Sequence, residues 1–422
     1  MIVKYAASRI NTTPFRTEHS KIVAVLCAKF GFNQIEIAED LASETFVAAL
    51  ETWPYKGIPE NPSAWLFAVA KNKAKNHFAR TVNLETKILP EYKNLIETDT
   101  ITQDPILTSD QIVDAQLQMM FAVCHPSLSE ESQICLALRI LCGFGIDEIS
   151  NALLSNKDTI TKRLYRAKEK LKDNRIELEF PSEEVCQSRL DGVLTTLYLL
   201  YNEGYYSESN EAILRADLCF EAIRLTFLLI QNPATNVPKT NALLALMYFH
   251  SSRFNARKNM GEMVLYADQD SSLWDQNLIS KGAYHLHQAA VGNELTSFHL
   301  EAMIAYWYTV PNENGEKWQR ILDLYDQLLH LKNVPVVALN RLFAYSKVKG
   351  NLTAIKEAEK LDFRGNRYYH ALLGELYLSV NLDLAKAHFE NALFYAKTRA
   401  EKESIRRKIT ALAINRSQDF VG

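Results

Sequence analysis

A chain of 422 residues, 47% apolar and 23% charged, is long enough for two or three packed domains and too apolar for a disordered tail. A formal charge of −3, from 47 basic and 50 acidic residues, excludes a uniformly basic protein, so any nucleic-acid surface must be local. The chain has no long uncharged apolar run, MIVKYAASRI lacks an apolar segment after its lysine, and the six cysteines lie in apolar stretches. These features predict a cytoplasmic protein with reduced thiols, no membrane association and no secretion.

Fourteen glycines and twelve prolines are few for this length, and apolar spacings of three and four recur while strict alternation does not, so the expected fold class is all-α. In chain order, AEDLASETFVAALETW (38–53) predicts an amphipathic helix whose acids Glu39, Asp40 and Glu44 are exposed, a face on which a basic partner could dock. NPSAWLFAVAKNKAKNHFAR (61–80) predicts a second helix with Asn61 as its cap and Pro62 at its first position. Along it Lys71, Lys73, Lys75 and Arg80 have no acid among them, Asn72 and Asn76 stand one turn apart to bond bases or backbone, and Trp65, Leu66 and Val69 lie opposite. Taken singly, each helix is equally well explained as a solvated surface. Residues 82–109 lose the helical period and collect Thr, Asp and Pro, which marks them as a linker.

The most informative stretch is 129–172. SEESQICLALRI predicts a helix capped by Ser129, LCGFG a break, IDEISNALL a short helix, and SNK the lead into DTITKRLYRAKEKLK, the order of a helix-turn-helix. On the last helix Ile160, Leu164, Ala167 and Leu171 share the packing face, while Thr159, Lys162, Arg163, Arg166 and Lys170 are available to phosphates and base edges. Eight basic residues against three acids across 156–175 give this segment a local +5, the footprint of DNA binding in a chain that is negative overall.

Beyond Pro181 the charge is balanced, with 26 basic and 27 acidic residues. YNEGYYS (201–207) predicts a helix end with Gly204 in a left-handed cap. Asn202 and Glu203 stand beside it, and Arg189, Asp217, Glu221, Arg224, His250, Arg253 and Arg257 are further polar groups on otherwise apolar helices; they suit capping and interhelical ion pairs, or a regulatory pocket of Asn202, Glu203, Tyr205, Arg224, His250 and Arg253 for a small ligand or protein. LLGELYLSVNLDLAKAHFENALFYA places Gly374, Tyr377, Ala385, Phe389 and Ala392 at tetratricopeptide spacings, and Ala338, Ala344, Gly350 and Ala358 repeat them more loosely. An ordinary helical bundle with alanines at close crossings accounts for the same pattern. His285, His287 and His299 have no ligand spacing, and Cys124 with His125, Cys135 and Cys142 falls on apolar helices, so no metal or cofactor is expected. No nucleophile elbow, phosphate loop or paired-carboxylate signature supports an enzyme.

Taken together and in this order, FRTEHSKIVAVLCAKFG, AEDLASETFVAALETWP, NPSAWLFAVAKNKAKNHFAR, FAVCHPSLSEESQICLALRILCGFGIDEIS and TITKRLYRAKEKLK resemble sigma factors of bacterial RNA polymerase, of the extracytoplasmic-function group. The stretch after Pro181 is similar to the long extension of one subgroup, so the resemblance spans roughly 15–415. It implies sigma domain two at 10–81, a linker at 82–109, sigma domain four at 110–180, a helical extension at 181–329 and tetratricopeptide-like repeats at 330–415. It further implies core RNA polymerase and promoter DNA as partners. Helix 38–53 would meet the clamp coiled coil, helix 62–80 would open the minus-ten element, helix 157–172 would read the minus-thirty-five element, and the polymerase flap would be a further contact. Family positions commonly Arg and Asp are Lys71 and Asn76 here, and a usual basic position is Ala79, which keeps backbone attraction but removes planar two-point contacts. The alternatives are a helical scaffold whose sigma-like half has lost promoter function and a helical enzyme using the histidine-rich extension. The intact basic helix favours the first reading over the scaffold, and the missing catalytic set weighs against the enzyme.

Overall fold

The structure, a computed structural model, describes residues 12–85, 108–153, 155–176, 178–205, 215–259, 262–264, 266–311, 315–361, 363–396 and 399–419. Among them the chain is helical apart from a hairpin of two-residue strands, β1 (Lys258–Asn259) and β2 (Glu262–Met263), antiparallel with Lys258 opposite Met263. The chain forms two compact units, residues 1–200 and 201–422, divided inside the helix 183–205.

In the first unit, α1 (Thr12–Phe30) buries Ile22, Val23, Leu26 and Cys27. Gly31, at φ 91°, turns the chain, and its N–H donates to the Cys27 carbonyl at 2.8 Å. α2 (Ile35–Lys56) buries Ile35, Ala38, Leu41, Ala42, Phe46 and Ala49. α3 (Pro62–Glu85) starts as its sequence predicts, with Pro62 first and the Asn61 Oδ1 accepting from the Ala64 N–H at 3.0 Å. Aromatic pairs tie the three together: Trp53 on Trp65 at 5.5 Å and Phe30 on Phe78 at 4.2 Å. Most of the predicted linker, 86–107, lies outside the described residues.

α4 (Ser109–Val123) opens on a reciprocal cap between Thr108 and Gln111 and packs against α1. α5 (Glu130–Leu136) follows its Ser129 cap, but the helix expected to run on to Ile140 changes at Ala137 to a π turn, Ala137–Leu141. Gly143, at φ 69°, ends it, and a Cβ there would lie 2.9 Å from the Arg16 carbonyl oxygen, so both conformation and space require glycine. α6 (Ile146–Ala152) and α7 (Lys157–Asp173) complete the segment.

α8 (Glu183–Tyr205) carries Gly204 on its last described turn, and Gly204 is not the left-handed cap that YNEGYYS predicts. It is a contact point: a Cβ would stand 2.7 Å from the Arg215 carbonyl oxygen and 2.8 Å from Cys219 Sγ, and its own carbonyl accepts from Arg215 N–H at 2.9 Å. Ser207 lies outside the described residues. In the second unit α10 (Pro238–Ser252) is buried on nearly all sides, against α9 (Ala216–Ile230), α11 (Gln276–Ala289) and α12 (Ser297–Trp307). α13 (Gly315–Leu331), α14 (Pro335–Lys349), α15 (Asn351–Ala358), α16 (Arg367–Tyr377), α17 (Leu382–Tyr395) and α18 (Arg399–Asp419) then stack in order. α14 joins two cores, giving Val337 and Ala344 to the α12–α13 cluster and Leu339 and Leu342 to the α15–α18 cluster.

Close helix crossings in this unit depend on missing side chains. A Cβ on Gly282 would meet the Phe249 ring at 2.7 Å, and one on Gly374 the buried Phe389 ring at 2.6 Å. Gly374→Ala should therefore lower the melting temperature, because overpacking typically costs about 1–3 kcal/mol while alanine's helix advantage returns only about 1 kcal/mol. Adding Phe389→Leu should restore part of the loss, and calorimetry of the double-mutant cycle measures that coupling.

Candidate nucleic-acid interface

α7 is positioned by its cap and its apolar face. The Asn156 Oδ1 accepts from the Thr159 N–H at 2.7 Å, and Ile160, Leu164, Ala167 and Leu171 are buried. Of the basic residues on this segment, three are committed within the molecule: Lys157 pairs with Asp147 at 2.8 Å, Lys168 with Glu39, and Lys172 with Glu36 at 2.7 Å and Glu169 at 3.0 Å. Thr159, Lys162, Arg166 and Lys170 are exposed, and no carboxylate among the described residues pairs with the two lysines or with Arg166. Arg163 is half-buried, with Nη1 3.9 Å from Cys135 Sγ, and lines one cleft with Ser132, Thr159, Lys162 and Arg166. The sequence-predicted set on α7 is thus assembled on one surface, with Arg163 at its base.

On α3, Asn72, Lys75 and Asn76 are exposed at i, i+3 and i+4, one continuous face. Lys71 is half-buried, Lys73 pairs with Glu44 at 2.9 Å, and the Arg80 side chain lies outside the described residues.

The acids of α2 behave differently from the expectation. Asp40 and Glu44 are exposed, but Glu39 is only 6% exposed, its Oε1 accepting from Arg139 Nε at 2.7 Å and its Oε2 from Lys168 Nζ. A carboxylate removed from water must be compensated by charge, and deleting one partner of a buried pair typically costs about 3–5 kcal/mol. Neighbouring pairs extend the seam. Burial pushes the Glu36 carboxyl up, yet the hydrogen bond and charge of Lys172 outweigh it and hold the group below its usual value. Arg16 pairs with Glu148 and lies 4.5 Å over the Phe144 ring, while Arg139 Nη1 donates to the Phe144 carbonyl at 3.2 Å. Glu36, Arg16, Arg139 and Lys168 carried no signal in sequence, since their partners lie far along the chain.

In the second unit Tyr205, His250 and Arg253 come together. The Tyr205 and His250 rings are 4.6 Å apart, Arg257 lies 3.9 Å over Tyr205, and Arg253 lies 5.5 Å over Tyr266 and 5.6 Å over Tyr308. Burial, then the charges of Arg253 and Arg257, hold His250 well below its usual value. Among the described residues the buried His250 Nδ1 and Arg253 Nε have no hydrogen-bond partner. Lys317, 1% exposed, adds a third cation, donating to the Tyr266 hydroxyl at 2.7 Å and the Val310 carbonyl at 2.6 Å. Arg257 belongs to the polar set singled out in sequence, whereas Tyr266, Tyr308 and Lys317 were missed there. Arg224 instead pairs with Glu221 at 2.8 Å, and Asn202 and Glu203 are half-buried on the last turn of α8.

His285 and His299 have separate partners, and His287 is exposed. His285 Nδ1 lies 2.8 Å from Asn241 Oδ1, and His299 caps Thr296 and reaches the Ala289 carbonyl at 3.2 Å. Among the described residues no group of three or more His, Cys, Asp or Glu could hold an ion, and no helix is long and apolar enough to cross a membrane. All six cysteines are free and buried.

Comparison with known proteins adds two family matches: residues 15–83 match Sigma-70 region 2, and residues 189–290 match a family of unknown function, DUF6596. The chain is 26% identical over 133 residues to the ECF RNA polymerase sigma factor BldN of Streptomyces coelicolor, covering 31% of this chain and 47% of that one. It is 33% identical over 390 residues to the uncharacterized protein R00370 of Rhizobium meliloti, covering 90% of this chain and 91% of the relative. No solved structure matches the chain. With a sigma-70 region 2 near its N-terminal end and this near-complete match, the chain belongs to the same family as the Rhizobium protein.

Proposed function

We propose that the chain is a sigma factor of the extracytoplasmic-function group, which directs core RNA polymerase to a limited set of promoters. The observation that carries this reading is the sigma-70 region 2 match over residues 15–83, within which α3 exposes Asn72, Lys75 and Asn76 on one face. In this reading residues 10–81 bind core polymerase and open the minus-ten element, with α2 meeting the clamp coiled coil through Glu39, Asp40 and Glu44. Residues 110–180 contact the flap and read the minus-thirty-five element through α6 and α7, a helix-turn-helix whose exposed cations are Lys162, Arg166 and Lys170. Residues 181–329 and the tetratricopeptide-like 330–415 form an extension that regulates the sigma half. Reconstitution with core polymerase and sequencing of the transcripts should show promoter-dependent starts. A chain that neither binds core nor changes start sites would leave the scaffold alternative.

On α7, this reading assigns base reading to exposed Arg166 and the deeper Arg163 and a phosphate contact to Lys170. Arg166→Ala should cost about 1–3 kcal/mol on the preferred site and relax specificity there. Lys170→Ala should instead weaken all sequences alike and lower the salt slope by about one. Gel shifts across a salt series on matched and scrambled sites separate the two; equal losses on both DNAs for Arg166→Ala would remove its base-reading role.

For the extension, the cluster of Tyr205, His250 and Arg253 suits a small ligand or protein group with negative charge, since no carboxylate among the described residues pairs with Arg253. Arg253→Met removes a buried charge that has no counter-ion among the described residues. The melting temperature should hold or rise, while transcription in cells should change with core binding intact. A fall in melting temperature together with lost core binding would make Arg253 a folding residue.

A further inference from the structure

On the reading of α2 as a polymerase-docking helix, the ion pairs of the first unit acquire a regulatory meaning. Glu36 and Glu39, one turn apart on α2, face Lys172 and Lys168, one turn apart on α7, and Arg139 of the π turn takes the second Glu39 oxygen. Both Glu39 oxygens are therefore held by cations of residues 110–180, and a basic partner gains that carboxylate only by displacing them. The same face of α2 continues through Ser43, Phe46, Val47 and Leu50, which line a cleft with Arg139, Gly143 and Gly145. Val47 is 53% and Leu50 49% exposed. One end of the face is thus covered by the chain's own cations while the other end lies open. Packing of α1 against α4 and the fit of Gly143 against Arg16 hold the two segments in register for this contact.

We propose that this seam is an autoinhibitory latch, in which Arg139 and Lys168 occupy the place of the polymerase's basic residues on Glu39, so that core binding competes with self-closure. Exposed Val47 and Leu50 give the partner a first foothold, and release of Glu39 then frees α7 to move away from α3, as reading two separated promoter elements requires. A chain that is mostly closed binds core with an affinity reduced by its open fraction.

The test uses the full chain. Arg139→Met with Lys168→Met removes both cations while keeping apolar bulk, and neither residue belongs to the proposed base-reading set. Core affinity, measured by fluorescence anisotropy without DNA, should tighten, by about tenfold if closure is favoured ten to one, and small-angle scattering should show an expanded particle. As an independent check on folding, Glu36→Cys with Lys172→Cys can be joined by a short reducible bis-maleimide, because the six native cysteines are buried. Joining should abolish core binding and reduction should restore it. Unchanged or weaker core binding by the double methionine variant, or core binding by the joined chain equal to that of the reduced one, overturns the latch and leaves the sigma reading standing. Absence of core binding in every form, wild type included, overturns both.

Discussion

A carboxylate taken out of water must be met by charge, and Glu39 imposes that requirement on the N-terminal unit. The π turn presents Arg139, α7 is registered so that Lys168 and Lys172 face α2, and the tight Gly143 turn lets Arg16 and Phe144 approach. Residues before and after the segment 86–107 are consequently parts of one packed unit. The remaining surface of α7 follows from the same constraint: with Lys157, Lys168 and Lys172 used internally, the exposed cations narrow to a stripe around Arg166.

The second unit solves a different problem. Its helices are brought close by absent side chains, glycine against Phe249 or Phe389, and α14 serves two cores at once, so each helix is supported by its neighbours on both sides. Within that dense interior Arg253, Arg257 and Lys317 each lie against aromatic rings, and Lys317 also donates to the Tyr266 hydroxyl and the Val310 carbonyl. Ring quadrupoles offset only part of the desolvation of such cations, which singles this cluster out from the rest of the interior.

Local features were legible in the sequence. Asn61 and Ser129 cap helices because a short polar side chain before a periodic run has a definite local role, and the buried stripe Ile160, Leu164, Ala167, Leu171 follows from helical spacing alone. Long-range features were not. Glu39 reads as a surface acid because nothing nearby announces partners at 139 and 168, and Gly204 reads as a cap because a glycine that makes room for another helix looks the same in one dimension as one that reverses the chain. The π turn at Ala137–Leu141 hides inside an unbroken apolar pattern for the same reason. Arg253 was visible as an oddity on an apolar helix, but its aromatic neighbours Tyr266 and Tyr308 are assembled only by the fold.

The buried thiols set the protein's relation to oxidants. Burial raises Cys27, Cys135 and Cys186 and pushes Cys124 up to about 12, so at neutral pH these sulfurs are held as thiols, while peroxide attacks the thiolate. In the folded chain these four thiols are therefore poor targets for peroxide. An oxidant acting on the folded chain would have to find some group other than these four sulfurs, or wait for a local opening that brings one of them to water.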